Sequence, residues 1–171
     1  MKIGILSDTH STWDDRYARH FAGCDEIWHA GDIGCIDIIE RLRAVAPVVR
    51  AVSGNIDSGI VRRTCPEELV FEAEGMRVLL RHIGGYPGRY STGMAAHLAE
   101  VRPHIMVCGH SHILKVMYDN RLGLLHINPG AAGTAGWQTR RTLVRLEINS
   151  GIPSDLEVIE FGTGTDTDTR P

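Results

Sequence analysis

One recurrence constrains this chain most: short apolar runs that each stop at a cluster of carboxylate, amide or imidazole residues. Lys2-Ile3-Gly4-Ile5-Leu6-Ser7 leads into Asp8-Thr9-His10. Ile27-Trp28-His29-Ala30 leads into Gly31-Asp32, and Val48-Val49-Arg50-Ala51-Val52-Ser53 into Gly54-Asn55. A strand-like run ends in His82 itself, and Ile105-Met106-Val107-Cys108 precedes Gly109-His110-Ser111-His112. Runs of this length bounded by turn residues read as strands. In an open α/β sheet, residues at the carboxyl ends of neighbouring strands converge on one crevice. A crevice holding two Asp, one Asn and four His is a site for divalent metal, and two ions are expected.

Taken singly, none of the clusters would carry this reading. Asp-x-His is commonly a turn or a helix cap, because Asp accepts from free backbone N–H groups. Gly-Asp and Gly-Asn are ordinary turn dipeptides. Five such clusters in order, each at a strand end, do carry it.

The first half of the chain alternates strand and helix, the pattern of βαβ units. Tyr17, Ala18, Phe21 and Ala22 recur at helical spacing. A second helix presents Ile36, Ile39, Leu42 and Val45 and is expected to end before Pro47. Residues 68–73 and 77–82 flank Glu74-Gly75-Met76 as a hairpin. A glycine-rich loop over 84–90 leads to a helix capped by Ser91 or Thr92, with Met94, Leu98 and Val101 on one face. The last third reads as strand: 114–118 pairs with 122–127, Asn128-Pro129-Gly130 turns, and 142–148 pairs with 156–161. These segments predict a single domain over residues 1–161, an α/β four-layer α-β-β-α sandwich of two packed mixed sheets. Residues 162–171 are mostly Gly, Thr and Asp, ending in Arg170-Pro171, with no apolar anchor, so a disordered tail is expected.

Composition excludes several classes. The 18 basic and 21 acidic residues give net −3, with no basic block, so there is no nucleic-acid footprint. No apolar run approaches the roughly 20 residues of a membrane span. The N-terminus opens directly on a strand with no signal-peptide pattern, and Cys24, Cys35, Cys65 and Cys108 are widely spaced. A reducing, cytoplasmic setting is therefore expected. An anionic substrate would be drawn by metal at the site rather than by the whole-protein field.

In the order Asp-x-His, Gly-Asp, Gly-Asn, His, Gly-His-x-His, the chain resembles the calcineurin-like metallophosphoesterase superfamily. In its short form it is similar to the YfcE-type phosphodiesterase branch. The resemblance spans Met1 to about Phe161 and implies the same α-β-β-α sandwich. It implies that Asp8, His10 and His112 hold one metal, and that Asn55, His82 and His110 hold a second, with Asp32 bridging them. Mixed imidazole and carboxylate donors suit manganese first, with nickel, iron, cobalt or zinc as alternatives. The resemblance further implies a hydroxide bridging the ions at Asp32 as nucleophile, with Asn55 and His110 contacting the phosphate.

Two positions depart from the family pattern. Larger members place a general-acid histidine right after the Gly-Asn asparagine, where this chain has Ile56. Many short members read His-Gly-His at the fourth motif, where this chain reads His82-Ile83-Gly84. Leaving-group protonation is then in question, a contribution of typically ~10²–10⁴-fold. Trp13, Tyr86, Arg89 and Tyr90 follow ligand positions on loops and are candidate substrate-lining residues. His29 reads as a packed supporting group, and His20 and His97 as solvated; His104 or His126 could support the site.

The leading function is hydrolysis of a small phosphodiester, with a phosphomonoesterase as an alternative. A non-catalytic interaction scaffold of the same fold competes, favoured by Ile56 and Gly84 and opposed by the seven filled ligand positions. A metal-dependent amidohydrolase would want His-x-His after the first strand, yet here that pair comes late. A homo-oligomer is left open.

Overall fold

The computed structural model describes residues 1–162. The chain runs β1 (Lys2–Leu6), α1 (Asp15–Phe21), β2 (Glu26–His29), α2 (Ile36–Arg43), β3 (Val48–Ala51), α3 (Gly59–Thr64), β4 (Glu68–Ala73) and β5 (Met76–Arg81). It continues through β6 (Gly85–Tyr86), β7 (Arg89–Tyr90), α4 (Met94–Val101), β8 (Ile105–Val107), β9 (Leu114–Asp119), β10 (Leu124–Pro129), β11 (Arg140–Asn149) and β12 (Ile152–Gly162).

Two five-stranded sheets result, in the orders β12-β11-β1-β2-β3 and β4-β5-β8-β10-β9. In the first, β1, β2 and β3 are parallel and β11 and β12 antiparallel. In the second, β5, β8 and β10 are parallel, while β4 and β9 pair antiparallel at the edges. Both are mixed sheets.

Three apolar layers define the sandwich. Ile3, Ile5, Trp28, Val78, Leu80, Ile105, Val107 and Val144 pack between the sheets, with Trp28 edge-on to Phe71 at 5.2 Å. Tyr17, Phe21, Ile38, Ile39 and Leu42 bury the helices of the first half against the outside of the first sheet. Met94 and Leu98 of α4 cover Leu79 and Met106 on the outside of the second. Alternation along the strands explains this split: Ile3 and Ile5 face inward, whereas Leu6 joins the outer layer. Each fully buried aliphatic or aromatic side chain contributes roughly 1.5–3 kcal/mol. The four-layer α-β-β-α architecture is the one the strand pattern implies.

The structure corrects some local expectations. α4 is capped by Gly93 at φ 81, with no side-chain cap from Ser91 or Thr92. α3 had no signal in the apolar periodicity, since only Val61 among its residues is buried. Asn128 and Pro129 end β10 rather than forming a separate turn. Gly162 pairs with Arg140 as the last residue of β12, so the strand reaches one residue into the expected tail. The remainder of that tail, 163–171, lies outside the described residues.

Candidate metal centre

All seven ligand-type residues sit just past the carboxyl ends of parallel strands. Asp8 follows β1, Asp32 follows β2 and Asn55 follows β3; His82 follows β5, and His110 and His112 follow β8. The loops are stitched together by backbone hydrogen bonds. Asp8 N–H donates to Gly31 O at 3.0 Å and His10 N–H to Asp32 O at 3.0 Å. Gly109 N–H donates to His82 O at 3.0 Å. His110 N–H crosses between sheets to Asp8 Oδ2 at 3.2 Å.

The motif glycines exist for close approach. A Cβ at Gly54 would fall inside contact distance of the Asp32 carboxylate, and one at Gly109 would collide with Ser7 and Asp8. The backbone is also held away from its preferred wells. Asp8 (φ 55), His10 (φ 45), Asp32 (φ 51), His110 (φ 70) and His112 (φ 57) are all left-handed. Such non-glycine conformations cost on the order of 1–3 kcal/mol each and persist where surrounding contacts enforce them, typically at functional sites.

The side chains converge as two clusters: Asp8, His10 and His112, and Asp32, His82 and His110. Within the first, His10 Nε2 and His112 Nε2 stand 3.3 Å apart, and His112 Nε2 lies 3.2 Å from Asp8 Oδ1. Within the second, His82 Nε2 is 3.2 Å from Asp32 Oδ1 and 3.1 Å from Asn55 Oδ1. Asp32 serves both clusters, since its Oδ2 is 3.8 Å from His10 Nε2.

The ring orientations are fixed from behind. His82 Nδ1–H donates to Ala30 O at 2.7 Å, which turns Nε2 toward Asp32. His112 Nδ1–H donates to Gln138 Oε1 at 2.9 Å, which turns its Nε2 toward Asp8. Outward N–H donation of this kind sets the tautomer of a metal-binding imidazole. Asp8 Oδ1 is buried with no hydrogen-bond partner. A buried carboxylate oxygen left unpaired among imidazole nitrogens is costly unless a cation completes it. The donor set thus fits divalent metal.

Electrostatics agree. Burial opposes charge on His82, but the Asp32 and Asp8 carboxylates outweigh it and hold its pKa above the ordinary value. Asp8 holds His112 above its ordinary value in the same way. Burial would raise Asp32, yet hydrogen bonds from His82 and Ile56 N–H hold it low. The Asp32 carboxylate is therefore ionised and ready to receive a cation.

Residues outside the ligand set do the positioning, and three of them carried no sequence sign of that role. Asp57, buried, accepts from Ile33 N–H, Gly34 N–H and Gly54 N–H, tying the Asp32 loop to the Asn55 loop. Asn128 donates to Gly109 O at 2.8 Å and Ser111 Oγ at 3.1 Å, bracing the His110 loop. Gln138 holds His112. None of the three belongs to an apolar periodicity that would mark it. His29 is a packed supporting group as expected: Nδ1 accepts from Gly31 N–H, and Nε2–H donates to Thr9 Oγ1 at 2.9 Å.

Of the candidate lining residues, only Tyr86 reaches the site, on a pocket that includes His110. Trp13 packs on the first helical layer and donates to Asp15. Arg89 and Tyr90 line a separate groove beside α4, and Tyr90 donates to Asp119 at 2.7 Å. His97 is bonded to Glu68 at 2.8 Å rather than simply solvated. His104 accepts from Arg77 N–H at the opposite end of β5 from His82, which removes it from the site. His126 is buried under Gly85 at the pocket floor. Ile56 is exposed at the rim, with its N–H on Asp32 Oδ1 at 3.1 Å.

Residues 1–151 match the calcineurin-like phosphoesterase superfamily domain. The chain belongs to that superfamily. It is 32% identical to a probable metallophosphoesterase of Methanothermobacter thermautotrophicus, over 95% of this chain and 94% of that one. Among solved structures, it resembles wild-type Vps29 of Entamoeba histolytica complexed with zinc (TM-score 0.75, 17% identity), covering 96% of this chain and 100% of that one. It also resembles a novel archaeal phosphodiesterase (TM-score 0.73, 19% identity), covering 94% of this chain and 100% of that one. At those identities the two structures support the fold. The superfamily is metal-dependent, in keeping with the two donor clusters. Among the described residues no helix is long and apolar enough to cross a membrane.

Proposed function

We propose that this chain is a cytoplasmic, metal-dependent phosphoesterase that hydrolyses small phosphodiesters at a dinuclear centre, with manganese as the preferred ion. One observation carries the reading: Asp32 presents Oδ1 to His82 and Oδ2 to His10, so one carboxylate faces both imidazole clusters. All four cysteines are free thiols, which suits a reducing compartment.

Two divalent ions held by these residues would supply Lewis-acid activation of the phosphate and of water. The chain does the rest. Asp32 fixes the spacing between the clusters. Asn55 adds a neutral oxygen, so the centre keeps enough positive charge to admit an anion. His110 is the exposed imidazole of its cluster, while Asp32 and His82 are buried, so it is placed to touch a phosphate oxygen. Ile56, where a proton donor would stand, leaves the departing oxygen to carry its own charge. A diester with a good leaving group is the substrate class that tolerates this.

The test is turnover of bis-4-nitrophenyl phosphate and 4-nitrophenyl phosphate by chelator-treated protein, before and after adding Mn²⁺, Ni²⁺ or Zn²⁺. Metal-dependent hydrolysis, faster on the diester, is expected. No hydrolysis with any ion would favour the scaffold reading.

A further inference from the structure

The crevice has a depression on each side of the clusters. On one side, Asn55 and His82 meet Arg62 and Arg81, and both arginines are already paired, with Glu67 and Glu68. The other side differs. A pocket of about 190 Å³ is lined by Tyr86, His110, Ser111, Ile113, Lys115 and His126, among others, and shares His110 with the Asp32 cluster.

No acidic side chain lines this pocket. Lys115 is half-buried with its Nζ 3.6 Å above the Tyr86 ring centre, and it has no carboxylate partner among the described residues. An ammonium partly removed from water without a counter-ion is poised for an anion. Ser111 Oγ already accepts two N–H groups, from Asn128 at 3.1 Å and Ile113 at 3.3 Å. Its own proton is therefore left to donate. His126 spends its Nε2–H on the Gly85 carbonyl at 2.9 Å. Ile113 and the Tyr86 ring supply the apolar wall. The pocket thus offers donors and apolar surface, which is complementary to a compact group whose polar atoms only accept.

We propose that this pocket binds a second anionic group, a carboxylate or a phosphate, carried on the substituent of the phosphate ester, with Lys115 as the specificity-determining residue. The proposal rests on the phosphoesterase reading, because it assumes that the scissile phosphate sits at the adjoining clusters. The substrate class narrows accordingly to phosphate esters of small anionic molecules.

Non-hydrolysable phosphonates test this by calorimetry on the Mn²⁺-reconstituted protein. The probes are 4-carboxybenzylphosphonate, 4-phosphonobenzylphosphonate and the neutral-tailed 4-carbamoylbenzylphosphonate. Wild type should bind at least one anionic-tailed probe about tenfold tighter than the carbamoyl probe, the worth of one charge-assisted hydrogen bond. The tighter of the two anionic probes identifies the group. Lys115→Met should bring that ratio near one, and Lys115→Arg, which keeps the charge, should retain most of it and show that the site still folds. A ratio near one in wild type, or an unchanged ratio in Lys115→Met, overturns the proposal. Metal-dependent ester turnover with no anion preference removes only this pocket. Anion preference lost in Lys115→Met, in a protein that hydrolyses no ester, keeps the pocket and removes the enzyme reading. Failure of every probe to bind overturns both.

Discussion

The Nε2 atoms of His10 and His112 face one another at 3.3 Å, although Gln138 already accepts the outward N–H of His112. Two neutral imidazole lone pairs at that distance repel unless a proton or a cation lies between them. A cation between them would take both lone pairs, with Asp8 Oδ1, 3.2 Å from His112 Nε2, in reach to complete the donor set. His112→Ala should weaken this cluster alone and be partly rescued by excess Mn²⁺. Asp32→Asn acts on both clusters and should lower turnover by more than about 100-fold without such rescue, since a bridging group sets the geometry of both ions. Metal titrations of the two variants check this. Near-normal turnover in Asp32→Asn would contradict the bridge.

Gln138 acts through His112. Its Nε2 donates to Gly133 O and Ala135 O, which closes the loop and leaves Oε1 to fix the imidazole. Gln138→Leu should reduce metal affinity by about 10–100-fold, the usual cost of losing such a support. Gln138→Glu keeps an acceptor for His112 but loses both donations to Gly133 O and Ala135 O, so it should recover only part of that affinity. Equilibrium dialysis against Mn²⁺ measures both. Equal affinities in wild type and Gln138→Leu would remove Gln138 from the site.

His29 makes folding sensitive to acid. Burial pushes its pKa down to about 4. The unfolded chain therefore binds more protons than the folded one below the ordinary value of 6.5. Its contribution is fully present above 6.5, is lost as pH falls toward about 4, and changes no further below that. The loss amounts to at most ~3 kcal/mol. Urea unfolding of metal-free protein at neutral pH and near pH 4 should show a smaller acid loss in His29→Gln than in wild type. An identical loss would mean that His29 does not drive the acid sensitivity.

Under the proposed function, the lack of a proton donor at Ile56 sets the demand on the leaving group. Rates across aryl and alkyl diesters should depend steeply on leaving-group pKa, with aryl esters ahead. Ile56→His should flatten that slope if the imidazole reaches the leaving oxygen. The backbone N–H at position 56 keeps its bond to Asp32 in either case, and Ile56 is exposed, so folding and metal content should hold. A wild-type slope near zero would reveal another proton donor.

The two-sheet architecture and the seven-residue cluster were legible in the sequence, because both depend on apolar strands and on the polar residues that end them. Ile27-Trp28 and Ile105-Met106-Val107 declare their burial through residue type alone. Asp57, Asn128 and Gln138 did not declare themselves, because a side chain that braces a ligand from a turn or strand end has the composition of any turn. The same limit applies to the lining residues. Tyr86 and Arg89 are three residues apart in one glycine-rich segment, yet the short β6–β7 hairpin sends them to different grooves. Lys115 gave no hint at all; its lack of a partner is a fact of three-dimensional packing.

Metal stoichiometry read together with turnover decides whether the centre is dinuclear and catalytic. Chelator-treated protein is titrated with Mn²⁺ at neutral pH, with elemental analysis after each addition and the rate on bis-4-nitrophenyl phosphate followed alongside. Two ions per chain are expected, with turnover rising as the second site fills. Protein that retains no transition metal, or whose turnover ignores the metal it holds, would contradict it.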